Sequence, residues 1–200
     1  MRRYVSAWTV LGTLFLTAAL ALAGYNLACD RLAEEASERT LEQLDNGAIE
    51  GENVPTSVAS SRDFPSDVPL PVKKVDDNFY VGTLRIPSLG LELPVMEEWS
   101  YEGLRVAPCR YAGSAYAGDM VIAAHSYTSH FGRLSSISYG DEVSFADVCG
   151  NVFVYKVVSV EELQSTDVGA MVQSEWELTL FTCTFDGSAR VAVRCDEIVF

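Results

Sequence analysis

Residues 4–29 carry no charged side chain, and the run 5–23 is almost wholly apolar. No loop or surface strand of a soluble domain tolerates such a stretch, whereas a bilayer-spanning helix requires roughly 20 apolar residues in succession. Arg2, Arg3 and the terminal amine precede it, and Asp30, Glu34 and Glu35 follow it. The excess of positive charge on the leading side predicts a single-pass plasma-membrane protein with its amino terminus in the cytoplasm and everything after Asp30 outside. A cleaved signal peptide is the competing reading, since Ala21-Leu22-Ala23 before Gly24 satisfies the small-x-small cleavage rule. Its apolar core would be longer than the usual ~7–15 residues, which favours a retained signal anchor over residues 1–29. Cys29 is a poor lipoprotein acceptor, because Asn26 stands where an aliphatic residue is expected. Each of these readings exports the rest of the chain.

Residues 30–45 are rich in helix formers and lack Gly and Pro, so a juxtamembrane helix should continue from the span. From Asn46 the composition turns to Gly, Pro, Ser and Asp, including Asp67-Val68-Pro69-Leu70-Pro71, which reads as a linker. The expected organisation is an anchor over 1–29, helix and linker over 30–78, and one folded domain over 79–200. In that domain, short β-branched and aromatic segments recur between turn residues. Strands are predicted at 80–86, 89–95, 120–125, 142–146, 151–160, 177–183 and 189–199, with helical turns at 100–106 and 131–137. The fold class is mostly β, a sandwich or barrel. A net charge of −14 excludes the basic stripe that a nucleic-acid binder needs.

Five scattered cysteines with no C-x-x-C pair, and only two histidines, give neither a disulfide framework nor a zinc site. Glu161, Glu162 and Asp167 are conceivable calcium ligands, but an exposed turn is the simpler reading, and no cofactor is indicated. The last hairpin is more informative. Thr179-Leu180-Phe181-Thr182-Cys183 ends in a thiol, Phe185-Asp186-Gly187-Ser188 supplies a turn, and Arg190 to Arg194 follows. If the turn is flanked by Cys183 and Arg190, antiparallel pairing sets their Cβ atoms about 5 Å apart. The same register sets Arg194 opposite Thr179, two pairs away. A thiol nucleophile also needs a proton-transfer partner. His125 ends the apolar strand Met120-Val121-Ile122-Ala123-Ala124, whereas His130 falls in a loop-like stretch, so His125 is preferred. By residue type alone, Cys183 is more commonly an inert buried thiol and Arg190 the partner of an acid.

Thr179-Leu180-Phe181-Thr182-Cys183 resembles the T-L-x-T-C signature of sortases, and a downstream arginine on the next strand is that family's third catalytic residue. Val121-Ile122-Ala123-Ala124-His125 resembles the strand leading to the sortase histidine, with Ala124 where Gly is usual. Gly82-Thr83-Leu84-Arg85-Ile86-Pro87-Ser88-Leu89-Gly90-Leu91-Glu92-Leu93-Pro94-Val95 is similar to the family's opening strand pair, and Tyr111-Ala112-Gly113-Ser114 to its turn before the histidine strand. The resemblance covers about residues 79–200. It implies a closed β-barrel of about eight strands on the outer face of a Gram-positive membrane. It also implies a cysteine transpeptidase that cleaves an LPxTG-like sorting signal and passes the acyl part to an amine of a cell-wall precursor or a pilin subunit. Cys183 would be the nucleophile, His125 the acid–base and Arg190 the oxyanion or substrate-backbone partner. Thr182 would assist through its hydroxyl. Thr179 and Phe181 share the Cys183 face and Ala123 the His125 face, making them candidates to line the groove. Asp63-Phe64-Pro65 lies where pilin-polymerising members carry an aromatic lid motif. The alternatives are a thiol hydrolase with the same site and a non-catalytic, membrane-anchored β-domain.

Overall fold

One unbroken helix, α1 (Ala7–Asp45), leads from the apolar run into the folded domain in the computed structural model, which describes residues 7–45, 57–172, 175–184 and 186–199. Leu14, Phe15, Leu16, Leu20 and Leu22 project outward with nothing packed on them, as a lipid-facing surface requires. This helix is long and apolar enough to cross a membrane. Past Asp30 its character changes. Ala33, Ser37 and Thr40 are buried, and Leu44 packs on the domain, a spacing of three and four that places them on one face. Lys73 closes the helix by donating from Nζ to the Gln43 and Leu44 carbonyls at 3.1 and 2.9 Å, the favoured place for a cation.

The strands are β1 (Ser57–Val58), β2 (Lys73–Val75), β3 (Asn78–Ile86), β4 (Leu91–Met96), β5 (Cys109–Ala112), β6 (Met120–Ala123), β7 (Glu142–Asp147), β8 (Asn151–Gln164), β9 (Leu178–Cys183) and β10 (Ala189–Glu197). A short helix, α2 (Val168–Val172), joins β8 to β9. Pairing runs β8-β10-β9-β6-β5-β4-β3-β7 and returns to β8, closing an eight-stranded barrel, with β1 and β2 as added edge strands. The β4–β5 and β6–β9 pairs are parallel. Leu84, Ile86, Phe145, Phe153, Tyr155, Leu178 and Leu180 fill the interior. A second apolar cluster (Tyr80, Met96, Cys109, Val121, Ala123, Phe181 and Ala192) lies on the outer face, where α2 contributes Met171 and α1 contributes Leu44.

The stretch anticipated as a linker is instead packed against the barrel from residue 57 to 78. Ser60 and Asp63 form a reciprocal cap on the turn at Ser61–Asp63. The Phe64 ring stacks on Tyr116 at 3.9 Å, Leu70 joins the core, and Ser61 bonds the Glu197 carboxylate at 2.9 and 2.6 Å. Turn-rich composition disguised two apolar anchors. Phe64 therefore sits at the end of the barrel where β6 and β9 begin and β10 finishes, away from Cys183 at the other end of β9. Residues 46–56 of the expected linker, the Arg2 and Arg3 pair, Phe185 and Phe200 lie outside the described residues.

Candidate active site

Two strand registers assemble the site. Between β9 and β10, Arg190 pairs with Cys183 and Arg194 with Thr179, the alignment that the hairpin spacing predicts. The connecting turn is tightly tied. Thr184 and Ala189 exchange bonds, and the Asp186 carboxylate accepts from Thr184 Oγ1, Ser188 N and Ser188 Oγ, which lowers its pKa to about 2. Between β6 and β9 the parallel register Ala123↔Phe181 is extended by Ala124 N donating to the Phe181 carbonyl at 3.1 Å. Two residues further along each strand, His125 is level with Cys183 on the same face. Cys183, His125 and Arg190 are thus gathered at one end of the outer face, each half-buried.

The charge state of His125 follows from its surroundings. Burial lowers its pKa, and the positive charge of Arg105, on the helical turn Gly103–Arg105, lowers it further, so the neutral imidazole is favoured. No described residue hydrogen-bonds to its ring nitrogens. Its neighbour is the Tyr127 ring at 4.9 Å, which in turn meets the His130 ring at 5.6 Å. His130 is fully buried with neither ring nitrogen paired among the described residues, and burial holds its pKa down to about 4. It is a neutral core residue and not a proton-transfer group at the site.

Arg190 spends little of its bonding capacity. Its guanidinium donates to the Ala189 carbonyl at 2.9 Å and the Gly187 carbonyl at 3.5 Å, both in its own turn. Arg194 is only 3% exposed, and both of its terminal nitrogens are engaged, although its buried Nε has no partner among the described residues. It donates to Thr179 Oγ1 at 3.1 Å and to the Ala170 and Met171 carbonyls at 2.6 and 3.5 Å, and it lies 3.7 Å from Glu161. Arg194 therefore fastens α2 to the sheet.

The four expected groove residues have different placements. Phe181 and Ala123 lie on the site face, and Tyr111 meets the Phe181 ring edge-on at 5.2 Å. Trp99 extends this aromatic row, 5.6 Å from Tyr111. Thr179 shares the face but is fully buried beneath Arg194. Thr182 points to the opposite face, where its hydroxyl donates to the Ala124 carbonyl at 2.8 Å and ties β9 to β6. Arg105, Tyr111, Trp99 and Tyr127 were not singled out from sequence. Tyr111 had a local signal in its turn motif, whereas the others are set by long-range packing. Among the described residues, no three His, Cys, Asp or Glu side chains gather as metal ligands. Glu161 and Glu162 are successive residues of β8 and so face opposite ways, while Asp167 caps α2 through Ala170 N.

The sequence model of the Sortase domain family matches residues 84–198. A sortase C-1 variant from Streptococcus pneumoniae superposes with a TM-score of 0.61 at 17% identity, over 81% of this chain and 98% of its own. Sortase C from the same species gives 0.60 at 20% identity, over 83% and 97%. Sortase C1 from Streptococcus agalactiae gives 0.56 at 22%, over 82% and 88%. At these identities the likeness is one of fold. No curated protein sequence matches the chain.

Proposed function

The chain belongs to the sortase family, and on that premise we propose that it is a membrane-anchored cysteine transpeptidase whose reacting groups are Cys183, His125 and Arg190. The observation that carries this reading is the double register that aligns Cys183 and Arg190, on neighbouring strands, with His125 just past the end of β6, at one end of one face. The family supplies the class of chemistry, and a neutral His125 supports its acting first as a base.

The neutral imidazole of His125 has a ring nitrogen free to act as a base. As Cys183 Sγ attacks the scissile carbonyl of an LPxTG-like signal, His125 takes the thiol proton. Arg190, with uncommitted donors on a fixed charge, faces the developing oxyanion or the substrate backbone. The imidazolium then gives its proton to the departing amine, leaving a thioester on Cys183. An incoming amine, from a wall precursor or a pilin subunit, attacks that thioester. His125 accepts its proton and returns one to the leaving sulfur, so atoms and charge balance over the cycle. The span in α1 anchors the enzyme with its amino terminus in the cytoplasm and the barrel outside.

The test is mass spectrometry of the full chain incubated with a small library of sorting peptides, with and without an amine acceptor. A mass increase on Cys183 that disappears into an acceptor-coupled product supports transpeptidation. Release of free acid regardless of acceptor would make the protein a hydrolase, and absence of any adduct would overturn the assignment of Cys183.

A further inference from the structure

Among the described residues no hydrogen bond holds the His125 ring, so its position depends on the loop that follows it. That loop closes on itself. Phe131 N donates to the His125 carbonyl at 3.1 Å, and His130 N and Gly132 N both donate to the Tyr127 carbonyl at 3.0 and 2.8 Å. The closure is tight enough to require glycine at 132, where a Cβ would meet the Ser126 and Tyr127 carbonyl oxygens at 2.7 Å. Beyond this internal closure, the loop makes one polar attachment to α1, at Ser129. Ser129 N donates to Asp30 Oδ1 at 3.0 Å, and Ser129 Oγ lies 2.8 Å from the same oxygen and 3.2 Å from the Asp30 carbonyl.

Asp30 is the first charged residue after the uncharged run 4–29, and it belongs to the same unbroken helix. We infer that Asp30 is a positioning residue for His125, so that the membrane anchor is a working part of the active site and not a tether. The chain of contacts is Asp30 to Ser129, the closed loop to Tyr127, and the Tyr127 ring to His125. Ala33, Ser37 and Thr40 hold the helix against the barrel beyond this point, so Asp30 is presented by an element fixed to the domain just after it. It also places the His125 loop about two helical turns beyond the apolar run 5–23, near the level where the chain leaves the bilayer. This inference rests on His125 being the proton-transfer group.

The experiment uses the full chain in nanodiscs, with Asp30→Ala and Asp30→Asn compared to the unaltered protein. The chain has only two histidines, so the imidazole NMR spectrum gives one signal for His125 and one for His130. Asp30→Ala should lower kcat for acyl transfer about tenfold, as sub-ångström misplacement of a reacting group does, with KM little changed. It should also shift or broaden the His125 resonance, which is the readout; the His130 ring, next to Ser129 and in the field of the Asp30 carboxylate, should shift as well. Asp30→Asn keeps an oxygen acceptor for Ser129 and should restore both readouts. An Asp30→Ala protein with unaltered kcat and an unaltered His125 signal would overturn the inference, as would Asp30→Asn behaving like Asp30→Ala. If the unaltered protein forms no acyl adduct, the enzymatic reading fails, but the His125 resonance still decides whether Asp30 positions the ring.

Discussion

Each residue type at the reactive end of the outer face has a counterpart buried elsewhere in the fold, and the two sets are treated oppositely. Cys183 is half-exposed at a strand end, while Cys109 and Cys195 are sealed, with burial pushing their thiols up to about 11 and 12. His125 faces the site, while His130 is enclosed without a partner. Among the described residues Arg190 bonds its own turn alone, while Arg194 is fixed by Thr179, the α2 carbonyls and Glu161. Residue type therefore does not separate a reacting group from a structural one. Spare hydrogen-bonding capacity on an accessible face does.

The arginines give the strongest way to break this contrast. Cys183→Ala should abolish the acyl adduct, and Arg190→Ala should lower kcat by about 10²–10³, the usual cost of losing a donor to a developing oxyanion. Because Arg190 is bonded within its own turn alone among the described residues, its removal should leave unfolding free energy within about 0.5 kcal/mol of the original. Arg194→Ala should do the reverse. It leaves Thr179 and two carbonyls without a donor in a dry site and should cost about 2–4 kcal/mol in denaturant unfolding. Equal effects on stability from the two arginines would erase the distinction.

The histidines sharpen the contrast through pH. Burial holds the His130 pKa down to about 4 against an ordinary 6.5. Between those values the unfolded chain binds a proton that the folded chain refuses. Stability conferred by the neutral ring is therefore complete above about pH 6.5 and lost as pH falls towards 4, on the order of 3 kcal/mol in all. His130→Phe removes the titrating group and two unpaired nitrogens, so it should flatten that part of the stability–pH curve. Denaturant titrations at several pH values check this, and an unchanged curve would mean that His130 is solvated.

Much of this arrangement is legible in sequence because local rules fix it. The β9–β10 register follows from turn residues Asp186-Gly187-Ser188 and a period of two, and the lone apolar run ending in His125 is a strand by composition. What escapes is whatever depends on contacts between distant segments. β5 (Cys109–Ala112) is only four residues long, between Pro108 and Gly113, and reads as loop until β6 pairs with it. Phe64 and Leu70 are two anchors in a stretch whose Pro and Asp content signals a tether. Ser129 meets Asp30 across 99 positions of chain. No window of sequence contains that pair.

Thr182 supplies the smallest effect and the finest distinction, because it neighbours Cys183 yet belongs to the committed set. Its hydroxyl is buried and donates to the Ala124 carbonyl, one residue before His125. Thr182→Val keeps the shape and the β-branch but removes that bond. The loss should be about 1 kcal/mol of stability. The effect on kcat should be a few-fold at most, since β6 and β9 remain joined by their backbone ladder. The two losses should appear together, because a slackened strand pair lets His125 drift from Cys183. A collapse of kcat at unchanged stability would mean instead that the hydroxyl turns to the substrate, and spare capacity would then no longer mark the residues that react.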